Sequence, residues 1–186
     1  MFDMIVKTDL DRAASFVDAL IAGVNARPMR EVAGHAATEV VQDHFHKLSA
    51  ERHRPGVDFD FWSMAADATD FDVSDDGVII TVDAIGVAQR RYGGEIKAVN
   101  SSHLWIPVHP DAVGHTPGDF IDALFTIISP LTNKGVAIHQ DWDEVYFALV
   151  KSVTQDADPS VDPDDRAILD AVTSAQLEYL TQEVLN

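Results

Sequence analysis

Between Met29 and Glu51 apolar residues return every three or four positions: Met29, Val32, Ala33, Ala36, Val40, Val41, Phe45 and Leu48. That spacing predicts a long amphipathic helix with one face committed to a core. A shorter stripe precedes it over Asp9–Asn25 (Leu10, Ala13, Phe16, Val17, Leu20, Val24), with Thr8 or Asp9 as an N-cap. Asn25-Ala26-Arg27-Pro28 separates the two stripes, because proline cannot donate to the preceding turn. Met1–Lys7 alternates weakly and reads as a short strand or a lead-in.

Downstream of Arg54-Pro55-Gly56 the pattern changes from helical to strand-like. Val57–Asp76 is aromatic and acidic, with a short helix expected from Asp60 to Ala68. Asp75-Asp76-Gly77 reads as a hairpin turn that sets Asp70–Val73 opposite Val78–Ala84, whose β-branched run is the strongest strand signal in the chain. Ile85–Asn100 reads as a loop. Leu104–Val108 reads as a strand whose Pro107 marks an edge or an end. Leu124–Ser129, Val136–His139 and Val145–Val153 are further strands. Asp156–Pro163, with Pro159 and Pro163, reads as an extended linker with little to bury, and Asp164–Leu185 as a last helix bearing Leu169, Leu177 and Leu180. Together these predict an α+β fold: two N-terminal helices, the second long, packed on a mainly antiparallel sheet of four or five strands, plus a C-terminal helix on an extended tether. The expected division is a core over 1–155 and an arm over 156–186. Helices and strands do not alternate, which argues against a doubly wound nucleotide-binding sheet.

Composition narrows the function classes. The 186 residues contain no cysteine, which removes disulfides, thiol nucleophiles and cysteine-based metal sites. A formal charge of −18 opposes binding to phosphate backbones, so no sequence-specific nucleic-acid partner is expected. No apolar run approaches a membrane span, and Met1–Arg12 is too charged for a secretory signal, so the expectation is a cytoplasmic protein without a membrane partner.

Motifs for chemistry are sparse. His44 and His46 point to opposite sides of a helix, whereas His35 and Glu39 share a face but have no third ligand at a telling spacing. Ser101-Ser102-His103 with Asp119 spells a triad on paper, yet neither serine sits in a nucleophile elbow. Phosphate-loop, dinucleotide and calcium-loop signatures are missing. The expectation is a non-enzyme with no catalytic residue, cofactor or metal. Gly93-Gly94, flanked by Arg90, Arg91, Tyr92 and Lys97, signals either positive φ or a close backbone approach. The segment serves either as an interaction loop or as an ordinary turn with solvated charges.

Taken in order, Gly86–Lys97, then Leu104-Trp105-Ile106-Pro107-Val108, then Gly114-His115-Thr116-Pro117-Gly118-Asp119-Phe120 resemble the centre of the phage virion morphogenesis (tail-completion and neck) proteins of tailed phages and prophages. His44-Phe45, Phe61-Trp62 and Tyr146–Gln155 extend the resemblance over roughly residues 29–163. The chain departs from that pattern where Asp156-Ala157-Asp158-Pro159 replaces an Arg-Pro segment, so no contact of that arginine is carried over.

The resemblance implies a structural ring subunit at the tail end or the head–tail neck, present in the bacterial cytoplasm during assembly and then in the virion. Its partners would be copies of itself and tail-tube or connector proteins. Arg90, Arg91, Tyr92, Gly93, Gly94 and Lys97 would form a subunit-contact loop. The arm with Pro159, Pro163, Leu169, Leu177 and Leu180 would reach a neighbour. The alternatives are an acidic binding module or antagonist of a host factor, and a hydrolase built on a histidine-bound metal.

Overall fold

The computed structural model describes residues 17, 18, 21, 23, 27–53, 57–120 and 122–184. Val17, Asp18, Ile21 and Gly23 are helical; the rest of the helix expected over 9–25, and the Met1–Lys7 segment, lie outside the described residues. The architecture is α+β, as expected, and the chain divides into two compact units.

The long helix α1 spans Arg27–Arg52, with Pro28 in its first turn, where a missing N–H costs no helical bond. Its buried line is Met29, Ala33, Ala37, Val41, Phe45 and Leu48, one residue per turn along a nearly straight stripe. Ala37 replaces the expected Ala36 in that line. The helix contributes residues up to Asp43 to the first unit and those from His44 onward to the second.

The first unit also holds a hairpin, β1 (Thr69–Val73) and β2 (Val78–Val82), with Thr69 opposite Val82 and Val73 opposite Val78. The turn closes through Ser74 N–H to the Gly77 carbonyl at 2.9 Å, leaving Asp75 and Asp76 at the tip as the sequence predicts. Phe71 sits against α1 at Gly34, where any Cβ would stand 2.3 Å from the ring. Glycine there lets the hairpin approach the helix closely. The same unit holds the C-terminal helix α4 (Asp165–Tyr179), started by the Asp164 carboxylate, which accepts from Arg166 N–H at 3.0 Å.

The second unit carries a four-stranded antiparallel sheet built from β4 (Leu104–Pro107), β5 (Leu124–Ile128), β6 (Gly135–His139) and β7 (Glu144–Val150), in the order β4-β7-β6-β5. Pro107 closes the edge strand β4, as its missing N–H requires. One face of the sheet packs Ala112, Ala137, Tyr146, Phe147 and Leu149 into a core, with Trp105, Phe120 and Leu124 against it. A separate ribbon pairs β3 (Gly94–Lys97) with β8 (Ser152–Gln155), because the bend at Lys151 takes the chain out of β7. The strands thus divide among three sheets.

Two local expectations are corrected. Ile85–Asn100 is not a plain loop: it contains helix α3 (Val87–Tyr92) and strand β3. Its Ala-Gln-Arg-Arg sequence favours helix, and burial of Val87 anchors a segment that the flanking glycines disguise. The Asp156–Pro163 segment buries more than expected: Pro159–Val161 is a 3-10 turn, and Val161 is 2% exposed. Prolines at a turn start leave the next apolar side chain free to point inward.

Candidate functional site

Three places in the second unit bring chemistry-bearing residues together. The first is built around α3. Gly86 begins the helix at φ 97°, and Gly93 ends it at φ 67° with its N–H on the Gln89 carbonyl at 2.8 Å. A Cβ on Gly93 would lie 2.5 Å from Ala157 N and 2.6 Å from Gln155 O, so both signals read from the glycine pair, positive φ and close approach, are present at this residue. Gly94 (φ 114°) enters β3 opposite Gln155.

α3 also presents its arginines. The Arg90 guanidinium stands 4.3 Å from the Phe61 ring centroid and 5.5 Å from that of Trp62, and Arg52 lies 5.6 Å over Trp62. Partial desolvation against the rings, followed by repulsion from Arg52, lowers the Arg90 pKa. Arg52 pairs with Asp158 at 2.7 Å and donates to Ser160 Oγ, while His44 Nε2 donates to the Ser160 carbonyl at 2.9 Å. Arg91 pairs with Asp162 at 2.7 Å and covers Tyr92, which is itself 67% exposed. Lys97 pairs with Glu95 at 2.8 Å. Of the expected contact loop, therefore, Arg91 and Lys97 are engaged within their own chain, and Gly93 is packed against it. Tyr92 remains open to solvent. Pro159 lies in the turn held by Arg52.

A cleft of about 340 Å³ opens beside this cluster, lined by Arg52, His53, Asp60, Phe61, Trp62 and Arg90 among others. Asp60 caps α2 (Phe61–Asp67), accepting from Trp62 and Ser63 N–H at 3.1 Å each. Burial alone would raise its pKa, but a hydrogen bond from Ser49, those backbone donors and the nearby His53 bring it below the ordinary value.

The second place is a histidine–aromatic stack. His109 lies parallel to Tyr146 at 4.5 Å, and His139 parallel to Trp142 at 4.5 Å, with His139 4.9 Å from Tyr146. His109 Nε2 reaches Glu144 at 3.0 Å. Burial, then the charges of Asp111 and Glu144, raise the Tyr146 pKa. Among the described residues no group of three or more histidines and carboxylates is placed to hold a metal ion. The Ser-His-Asp string does not assemble. Ser102 Oγ donates to His103 Nδ1 at 2.9 Å, but His103 Nε2 faces Asn133 O and Oδ1 at 3.2 Å. Asp119 instead accepts from Thr116 N–H at 2.7 Å and from its hydroxyl at 3.0 Å.

The third place is the other face of the four-stranded sheet. The register sets Ile106, Ala148, Val136 and Ile127 in one row and Val145, Ile138 and Phe125 in the next. None of these is polar, and Ile127, Phe125 and Val145 are 54%, 41% and 39% exposed. β5 is an edge strand without Lys, Pro or a charge, the devices that ordinarily blunt an edge. This surface was not anticipated, although β5 and β7 carried the signal: Phe125 and Ile127 in β5, and Val145, Ala148 and Val150 in β7, put apolar side chains where a strand with one solvated face would place polar ones. Among the described residues no helix is long and apolar enough to cross a membrane.

No family model, no curated protein and no solved structure matches this chain.

Proposed function

We propose that this chain is a structural subunit of a tailed-phage or prophage particle, acting as one member of a ring at the tail end or the head–tail neck rather than as an enzyme. The observation that carries the reading is the open apolar face of the β4-β7-β6-β5 sheet, with its unblunted β5 edge, on a chain with a formal charge of −18. A monomer gains nothing from leaving Phe125, Ile127 and Val145 in water; a subunit that closes on a neighbour does. The ordered resemblance over residues 29–163 to virion morphogenesis proteins supports the same assignment.

The acidity fits the role. A charge of −18 keeps free subunits soluble before assembly, and carboxylates beside a passing genome repel its phosphates. In this reading the partners are further copies of the chain together with tail-tube or connector proteins, and the location is the bacterial cytoplasm followed by the virion. Mass spectrometry of density-purified particles tests the assignment. The chain is expected at a fixed ratio to the tail-tube protein; its loss from particles on purification would contradict a place in the virion.

A further inference from the structure

We propose that the cleft beside α3 binds a small apolar carboxylate, with Arg90 as its anchor and the Trp62 indole N–H as a second donor. The inference is independent of the ring assignment, because it rests on two donors without acceptors in one cleft. The Arg90 guanidinium lies over Phe61 and Trp62, and among the described residues it makes no ion pair and no side-chain hydrogen bond. Stacking on a ring face leaves the edge of a guanidinium free, and that edge carries its N–H donors. The carboxylate whose charge reaches it, Asp158, is committed to Arg52 at 2.7 Å and to Ser160. Trp62 is 4% exposed, and its indole N–H likewise has no acceptor among the described residues. Indole N–H groups this deeply buried ordinarily have one. Both residues line the same cleft, whose volume of about 340 Å³ is within the range of small-molecule sites.

The rest of the cleft selects an anion over a cation. Arg52 and Arg90 crowd the one Trp62 ring, and their repulsion is offset when a carboxylate binds. Asp60, the one carboxylate lining the cleft among the described residues, is fully engaged. Its Oδ1 accepts from Trp62 and Ser63 N–H at 3.1 Å each, and its Oδ2 accepts from Ser49, with His53 Nδ1 3.7 Å away. A cationic ligand therefore finds no free partner. The same hydrogen bonds use up the first N–H groups of α2, so that helix start offers nothing to a phosphate. One free guanidinium suits one carboxylate, which its parallel donors meet as a fork. Val57, Pro107 and Val113 complete the wall and give the body of the acid apolar contact.

A free acid and the C-terminal carboxylate of a peptide offer the same chemistry, and the test separates them. Phenylacetate is titrated into the isotope-labelled full chain and followed by NMR. It is expected to shift the Arg90 Nε–H and Trp62 Nε1–H signals together and saturably, with a Kd in the millimolar range. Phenylacetamide, which keeps the ring and loses the charge, should leave the Arg90 signal in place. Arg90→Gln should weaken phenylacetate binding about tenfold or more, as loss of a charged hydrogen bond does. Arg90→Lys, which keeps the charge but not the fork, should lose less. Circular dichroism verifies that both variants fold, and the wild-type titration decides the matter without them. The second probe is an acetyl-Gly-Gly-Phe peptide with a free C-terminus, set against its amide. Tighter binding than phenylacetate identifies a chain end as the source, and weaker binding a free acid. The inference is overturned if neither probe gives a saturable shift, or if phenylacetamide binds as well as phenylacetate.

Discussion

Gly93 and Ala157 meet backbone to backbone: a methyl group placed on Gly93 would stand 2.5 Å from the Ala157 nitrogen. That contact joins the end of α3 to the segment leaving β8, and the hydrogen bond from Asp158 N–H to the Arg90 carbonyl at 3.0 Å reinforces it.

Gly93→Ala is therefore expected to destabilise the fold by about 2–4 kcal/mol, from left-handed strain plus the clash. Gly94→Ala should cost less, because its Cβ would meet nothing nearer than Gln89 Nε2 at 3.7 Å. Urea denaturation of the two variants measures the difference. Equal midpoints would mean that the chain end beyond β8 moves aside freely.

The stack of Phe45 on Trp62, with centroids 5.9 Å apart and planes inclined by 19°, is buried on both sides. Phe45→Ala should cost about 3–5 kcal/mol through lost transfer energy and the cavity left behind. Phe45→Leu, which refills much of the volume, should recover a large part of that loss. Denaturant melts following Trp fluorescence report both.

Acid should loosen the Arg52–Asp158 link. Hydrogen bonds from Ser160, then the Arg52 guanidinium, hold the Asp158 carboxyl below its ordinary 3.8. A carboxyl lowered in the folded state stabilises it above the unfolded pKa, and that contribution is lost as pH falls through the folded value. Stability is thus expected to decline below about pH 4. Asp158→Asn should flatten that part of the decline while lowering stability at neutral pH. An unchanged acid limb in the variant would show that other carboxylates govern it.

Much of this arrangement was legible in the sequence where the signal is local. The stripe from Met29 to Leu48 became α1, the Asp75-Asp76 turn closed its hairpin, and the run at Leu124–Ser129 became β5, whereas the strand expected over Val145–Val153 is broken by the bend at Lys151 into β7 and the start of β8. What escaped depends on distant partners. Arg52 and Asp158 are 106 residues apart, and nothing in either neighbourhood announces the other. Helix α3 is only six residues long, held by Val87 and by Arg90 lying over Phe61, so its own periodicity is too short to register. Val161 hid between two prolines that suggested a spacer. For the candidate site, Tyr92 and the arginines were singled out from their setting beside two glycines, whereas the open sheet face required the register to show that Phe125, Ile127 and Val145 share one side.

The construction of the four-stranded sheet is tested at Ala137, which is fully buried opposite Phe147. Ala137→Leu should destabilise by about 1–3 kcal/mol through overpacking, whereas Val136→Leu, on the other face, should be nearly neutral in the isolated chain. Thermal melts of the two variants would reveal a reversed order if the faces were misassigned.

The central claim is a structural role in joining or finishing a phage particle, and it is tested most directly in the native host. Disruption of the gene, induction of the prophage and negative-stain electron microscopy of the lysate are expected to show full heads beside unjoined or overlong tails, with the intact gene restoring joined virions. Normal joined virions from the disrupted strain would contradict the claim.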